Sequence, residues 1–209
     1  MWRDHKFYWI QKTFIYNVLL SLLFLAVAFT INQYANAYAT AHSSNYVTDI
    51  VLDHIPVVDV HLIFSEGALL FIGIFIFILS HEPKHTPFAL KSLALFILIR
   101  SLFLVMTNLA PPVDQIYINP GDYISILSSG NDLFFSAHTG TPFLLAFIFW
   151  KKKLLRYFFL ICTVIGGAAV LLGHLHYSID VFSALFISFG IYHLAQRIFP
   201  RDFAMAEAE

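Results

Sequence analysis

Charge is what this 209-residue sequence has least of. Asp, Glu, Lys and Arg together make up 12% of it, about half the share usual in a soluble domain. Hydrophobic residues make up 59%. A soluble domain of this size has too much surface for its volume to hide so many apolar side chains, so the composition excludes a soluble globular protein and a disordered chain. The formal net charge of −1 leaves no basic field for a polyanion, which excludes a nucleic-acid partner. A single cysteine, Cys162, excludes an internal disulfide framework and a cysteine metal cluster. Internal repeats and low-complexity tracts are absent as well.

What is abundant is apolar and aromatic, with 23 phenylalanines and a mean hydropathy of +0.74. A membrane helix needs roughly 20 apolar residues to cross about 30 Å of hydrocarbon. Six stretches qualify, at about 13–36, 59–80, 88–109, 133–150, 154–174 and 177–199. The first starts too late and runs too long for a signal peptide, so it is expected to stay as an anchor. The fold class expected is therefore all-α: one six-transmembrane-helix domain over residues 1–209.

Lys and Arg are missing from three of the loops, at about 37–58, 110–132 and 174–177. Those loops carry Asp49, Asp53, Asp114, Asp122 and Asp132 instead. The basic residues fall on the other side of a six-span arrangement: Arg3, Lys6 and Lys12, then Lys84 and Lys91, then Lys151, Lys152, Lys153 and Arg156, and finally Arg197 and Arg201. The positive-inside rule then predicts cytoplasmic termini and outward-facing acidic loops.

Three charges interrupt the apolar runs: Glu66, Arg100 and Asp180. An intramembrane charge costs several kcal/mol unless it is paired or hydrated, so each marks a candidate site. Counted at about 1.5 Å per residue, Glu66 and Arg100 lie at similar depths. They are expected either to pair and fix helix packing, or to leave Arg100 facing an anionic headgroup, whose phosphate suits a bidentate guanidinium.

Histidine is the other anomaly. His138 opens the fourth stretch, and His174 and His176 close the fifth. His176 and Asp180 are four apart, so on a helix they share a face and can hydrogen-bond. A carboxylate on one imidazole nitrogen fixes the tautomer and makes the other nitrogen more nucleophilic. His138 supplies a second imidazole at the same depth. Two histidines and an orienting aspartate are the minimum set for attack on phosphorus with protonation of the leaving oxygen. The alternative is a zinc site drawn from His138, His174, His176 and Asp180, although His-x-His spacing points two rings to different sides of a helix. His54, His61, His81, His85 and His193 read as ordinary interfacial or core histidines.

These residues resemble the sphingomyelin synthase-like branch of the type 2 phosphatidic acid phosphatase (PAP2) superfamily. Ser136-Ala137-His138-Thr139 is similar to its Ser-Gly-His-Thr motif, with Asp132 at the position of the preceding aspartate. His174-Leu175-His176-Tyr177-Ser178-Ile179-Asp180-Val181 resembles its His-Asp-His-Tyr-Thr-Val-Asp-Val motif. Arg100 through Pro111 resembles its third helix, and Asp53-His54-Ile55-Pro56 through Glu66 loosely resembles its entry to the second. The resemblance covers about residues 50–195. Ala137 replaces the usual glycine. The basic motifs of lipid phosphatases are missing: no Lys-x6-Arg-Pro occurs, and Val170 stands where those enzymes carry arginine, six before His176.

The resemblance implies a membrane lipid phosphotransferase that moves a headgroup phosphate (phosphocholine or phosphoethanolamine) from a phospholipid donor to a ceramide- or diacylglycerol-type acceptor. His176 would be the nucleophile, Asp180 its orienting partner and His138 the proton donor. Arg100, Ser136, Thr139, Tyr177 and Asp132 are candidate substrate contacts. No cofactor or metal is required, and the site is expected on the non-cytoplasmic face. A phosphatase using water as acceptor, a zinc-dependent lipid hydrolase and a non-catalytic membrane protein are the alternatives. Paired broken helices in two related halves, the mark of many transporters, are not evident. Gly166, Gly167 and Gly173 read as close-packing positions.

Overall fold

The computed structural model describes residues 8–116 and 133–208. Arg3, Lys6, Asp122 and Asp132 fall outside the described residues. The fold is all-helical among the residues described. Among the described residues five helices are long and apolar enough to cross a membrane. The first, α1, runs Lys12–Ala41. The second crossing segment begins with a π-helical turn, Leu62–Glu66, and continues as α2, Gly67–His81. It stops before Pro83, since a proline disfavours helical backbone in the residue it follows. A 3-10 turn, Pro83–His85, leads into α3, Thr86–Met106, with Pro87 in its first turn, where a missing N–H costs nothing. Helices α5, Lys153–Leu172, and α6, Ser178–Ile198, are the other two.

The fourth apolar stretch departs from the expected span of 133–150. Its helix, α4, covers only Ala137–Ile148, 12 residues, which rise about 18 Å and cannot cross hydrocarbon alone. Leu133, Phe134 and Phe135 are apolar but not helical, and Phe134 has φ 133°. A short amphipathic helix, α7, Pro200–Glu207, follows α6.

The core is aromatic. Phe88, Phe96, Phe135, Phe149 and Phe159 are almost wholly buried where α3, α4 and α5 meet. Gly140 lets α4 pass under Phe96, whose ring a Cβ there would meet at 2.8 Å. Helix α1 packs along α3 and turns Leu19, Leu20, Leu23, Val27 and Ile31 outward. An apolar outer face of this extent suits lipid and not water.

The connections gather at the two ends of the bundle. At one end residues 42–61, 107–116 and 173–177 knit together. Ala110 donates its N–H to Asn45 O at 3.2 Å, Val58 to Leu172 O at 2.8 Å and Ile116 to Gly173 O at 3.0 Å. These described connections carry no Lys or Arg. At the other end Lys152 pairs with Glu82, Lys151 with Glu207 at 2.7 Å, and Lys91 with Asp202 of α7 at 2.6 Å.

Candidate active site

The lysine-poor end holds the histidines, and the way α5 ends places two of them. Its last turn closes with Leu175 N–H on Val170 O at 2.9 Å and His174 N–H on Leu171 O at 3.0 Å. That is a Schellman motif, with Leu175 and Val170 in the accompanying apolar contact. His174 fills the left-handed position with φ 51°, a place glycine usually takes. Its Nε2 is buried and has no hydrogen-bond partner among the described residues.

Two residues later the chain enters α6. His176 Nδ1 lies 3.1 Å from Asp180 Oδ2, and the two side chains are 7% and 1% exposed. The Asp180 carboxylate also accepts the Tyr177 N–H at 3.2 Å, closing the helix N-terminus as the acid of a capping box does. The carboxylate thus sits at the positive end of the helix dipole. Nδ1 is thereby assigned the proton, and Nε2 is left as the basic nitrogen.

Helix α4 starts beside this pair. Ser136 donates its N–H to the Asp180 carbonyl at 3.0 Å, so the first turns of α4 and α6 are one hydrogen bond apart. Two helix N-termini side by side make a ready site for an anion. Among the described residues the Ser136 and Thr139 hydroxyls are buried without hydrogen-bond partners, a condition that costs about 1–3 kcal/mol each until something satisfies it. The Ser65 hydroxyl on the π-turn is in the same state.

His138 sits in the first turn of α4, its imidazole stacked on Phe64 with centroids 4.2 Å apart and planes at 26°. Four residues on, Pro142 has no N–H for the His138 carbonyl. That carbonyl faces Gly166 of α5, and a Cβ at 166 would overlap it. Gly167, next to it, brings α5 against Thr139 and Val181. The glycine pair therefore sets how closely α5 approaches the site.

Arg100 is 3% exposed and donates its Nε–H to the Phe135 carbonyl at 3.1 Å, beside Ser136. The ion pair between Arg100 and Glu66, one of the two arrangements expected, does not form. Glu66 is 55% exposed and lies 3.9 Å from His61. Matching depth fixed the level of the two charges but not their direction. The π-turn ends on Glu66, aiming it outward while Phe64 and Ser65 point inward.

The Tyr177 hydroxyl donates to Ala110 O at 2.9 Å and accepts the Val47 N–H at 3.3 Å, so it ties loops together. Asp49, read in the sequence only as one loop acid among several, does similar work. Its carboxylate accepts N–H groups from Ser178 at 2.7 Å, Val51 at 2.8 Å and Leu52 at 3.1 Å. Burial pushes its carboxyl up, but these hydrogen bonds outweigh that and hold it below its ordinary value. Asp132 lies outside the described residues. Among the described residues no three His, Cys, Asp or Glu side chains are grouped to hold a metal ion, so the zinc set of His138, His174, His176 and Asp180 is not assembled.

Phe64, Ser65 and Asp49 are the parts of this site that sequence reasoning missed. Nothing in the apolar run 59–80 signals a π-turn. Gly166 was legible as a close-packing position, but the approach of α5 to His138 that it and Pro142 permit was not.

Residues 129–197 match the family model described as PAP2 superfamily C-terminal. The matched stretch contains His138, His176 and Asp180 and supports the PAP2 superfamily resemblance and, with it, an enzyme of the phosphatase or phosphotransferase type acting on lipids. The long apolar helices and this match together support an integral membrane protein. The chain matches no curated protein and no solved structure.

Proposed function

We propose that the protein is a membrane lipid phosphotransferase, sphingomyelin synthase-like, that works through a phosphohistidine at His176. The observation that carries the reading is the buried His176–Asp180 pair, with the helix start that bears His138 hydrogen-bonded to Asp180. In the first half-reaction the Nε2 lone pair of His176 forms a bond to the headgroup phosphorus. The P–O bond to diacylglycerol breaks, and its oxygen takes a proton from His138. In the second half-reaction an acceptor hydroxyl attacks that phosphorus and gives its proton to His138, and the P–N bond breaks. Asp180 stabilises the charge that develops on His176. Arg100, Ser136 and Thr139 are the proposed phosphate contacts, acting as preorganised donors in a site shielded from water.

Val170 favours phosphodiester transfer over monoester hydrolysis. It is fully buried in an apolar cluster with Val60, Phe64 and Leu175, so no cation for a dianionic monoester stands at that position. Hydrolysis with water as acceptor is the second reading, favoured by the PAP2 match itself. The site is proposed to face away from the cytoplasm, because the Lys-bearing turns gather at the opposite end.

The test is to incubate purified protein with labelled phosphatidylcholine, phosphatidylethanolamine and phosphatidic acid, with and without ceramide, and to identify the products. Transfer that depends on ceramide is expected, with acid-labile phosphate on His176 and none in His176→Ala. Asp180→Asn should slow the reaction by about 100-fold or more. Full activity of His176→Ala defeats the proposal, and product formed only with water selects the second reading.

A further inference from the structure

His176 has a carboxylate at its Nδ1, and His138 has an aromatic ring against its face. Phe64 is 5% exposed, packed with Val60, Val170 and Val181, so its ring has a fixed seat. It reaches His138 because residues 62–66 wind as a π-turn. Such a turn holds one residue more than an α-turn and resets which side chains face inward, and π-bulges recur at functional sites for that reason. On the far side of His138 the backbone meets Gly166, which has no side chain to push it away. The imidazole is therefore bounded by a ring on one side and its own main chain by a helix on the other.

We propose that Phe64 is a positioning residue for His138. Its ring selects the imidazole rotamer in which His138 delivers a proton to the leaving oxygen. The inference rests on the role given to His138 above. Phe64 takes no part in bond making; it limits the search of the donor for the oxygen. Displacing a reacting group by about 1 Å can lower a rate by roughly 100-fold. Among the described residues, His61 and Glu66 at the π-turn, Arg100 on α3, and His174, His176 and Asp180 around the start of α6 are the ionisable groups on the surrounding elements, and Phe64 adds none.

Phe64→Leu keeps the apolar bulk but removes the flat face, and Phe64→Tyr keeps the face. Full-length protein in nanodiscs is assayed with two donors. Phosphatidylcholine has a poor leaving group that needs protonation, and p-nitrophenyl phosphocholine has one that does not. Phe64→Leu should lower the single-turnover rate of diacylglycerol release from phosphatidylcholine by about 10- to 100-fold. It should leave the single-turnover burst of nitrophenol from the nitrophenyl ester within about threefold, because with that donor His138 is needed only when the acceptor is deprotonated in the second half-reaction. Phe64→Tyr should restore the parent values. Equal losses of first-turnover release from both donors, or none from either, overturn the proposal.

A second measurement does not depend on turnover. In full-length protein labelled at histidine, the His138 ring resonances should be single in the parent and in Phe64→Tyr. In Phe64→Leu they should be broadened by rotamer exchange, and an ordered ring there also overturns the proposal. If the parent transfers no phosphoryl group while the ring signal behaves as expected, the functional reading fails and the clamp stands.

Discussion

A histidine holds the left-handed position that ends α5, where an L side chain costs roughly 1–2 kcal/mol, and its Nε2 has no partner among the described residues. Truncating a buried side chain usually destabilises a protein. His174→Gly removes both the backbone strain and the orphaned nitrogen, so its thermal unfolding midpoint in detergent should stay level or rise. A clear fall would mean that His174 is held by packing that outweighs its strain. Asp49 carries a second prediction. Its carboxyl is held below its ordinary value, so the folded state binds that proton less readily than the unfolded chain does. The stabilisation is complete above the unfolded carboxyl range and is lost as pH falls through the lower, folded value. The unfolding midpoint should therefore drop below about pH 4, and Asp49→Asn should flatten that acid limb while lowering the midpoint at neutral pH. Helical spacing pointed to the His176–Asp180 contact, although His176 precedes α6 and reaches Asp180 from before the N-cap Tyr177 and not along the helix. The sequence left the Glu66–Arg100 pairing as one of two readings, because depth on two separate helices leaves direction open.

Helix α4 is positioned by what two residues lack. Pro142 withholds an N–H, and Gly166 withholds a Cβ, at the same point along the α4–α5 contact. Gly166→Ala puts a methyl group into the His138 backbone, which cannot yield without moving the site. Overpacking of this kind costs about 1–3 kcal/mol, and transfer activity should fall further than stability does. Gly73→Ala is the control, since a Cβ at 73 meets nothing within 4 Å; it should leave both unchanged. Apolar run length made the long helices readable, because only a helix satisfies its own backbone in lipid. The same measure overextended α4, since Leu133–Phe135 are apolar for burial against α3 and α6 and not because they are helical. The π-turn was invisible, since it changes the direction of side chains and leaves composition untouched.

On the scale of the whole molecule, charge divides between the two ends, and one network at the basic end joins three distant parts of the chain. Lys91 Nζ donates to Asp202 Oδ2 at 2.6 Å and to Asn17 Oδ1 at 2.7 Å, and Asn17 Nδ2 donates to Asp202 Oδ1 at 2.6 Å. Both charged side chains are mostly buried. Asp202→Ala leaves a buried cation alone and should cost about 3–5 kcal/mol, read as a lower midpoint in a thermal size-exclusion assay. Lys91→Met together with Asp202→Leu removes both charges and should recover much of that loss. The long-range network could not be read from the sequence, where Lys91 counts only as one more basic loop residue.

The spacing within that network also sets an order of events. Asp202 lies 111 residues beyond Lys91, and at about 5–20 residues per second of synthesis Lys91 waits roughly 5–20 s for its partner. During that interval it is a cation without its counter-charge near the start of an apolar helix, the kind of charge that the positive-inside rule counts. Once α7 docks, the same charge is neutralised and becomes part of the packing. One side chain thus changes from an exposed charge while the chain is being made to a buried clasp once it is finished.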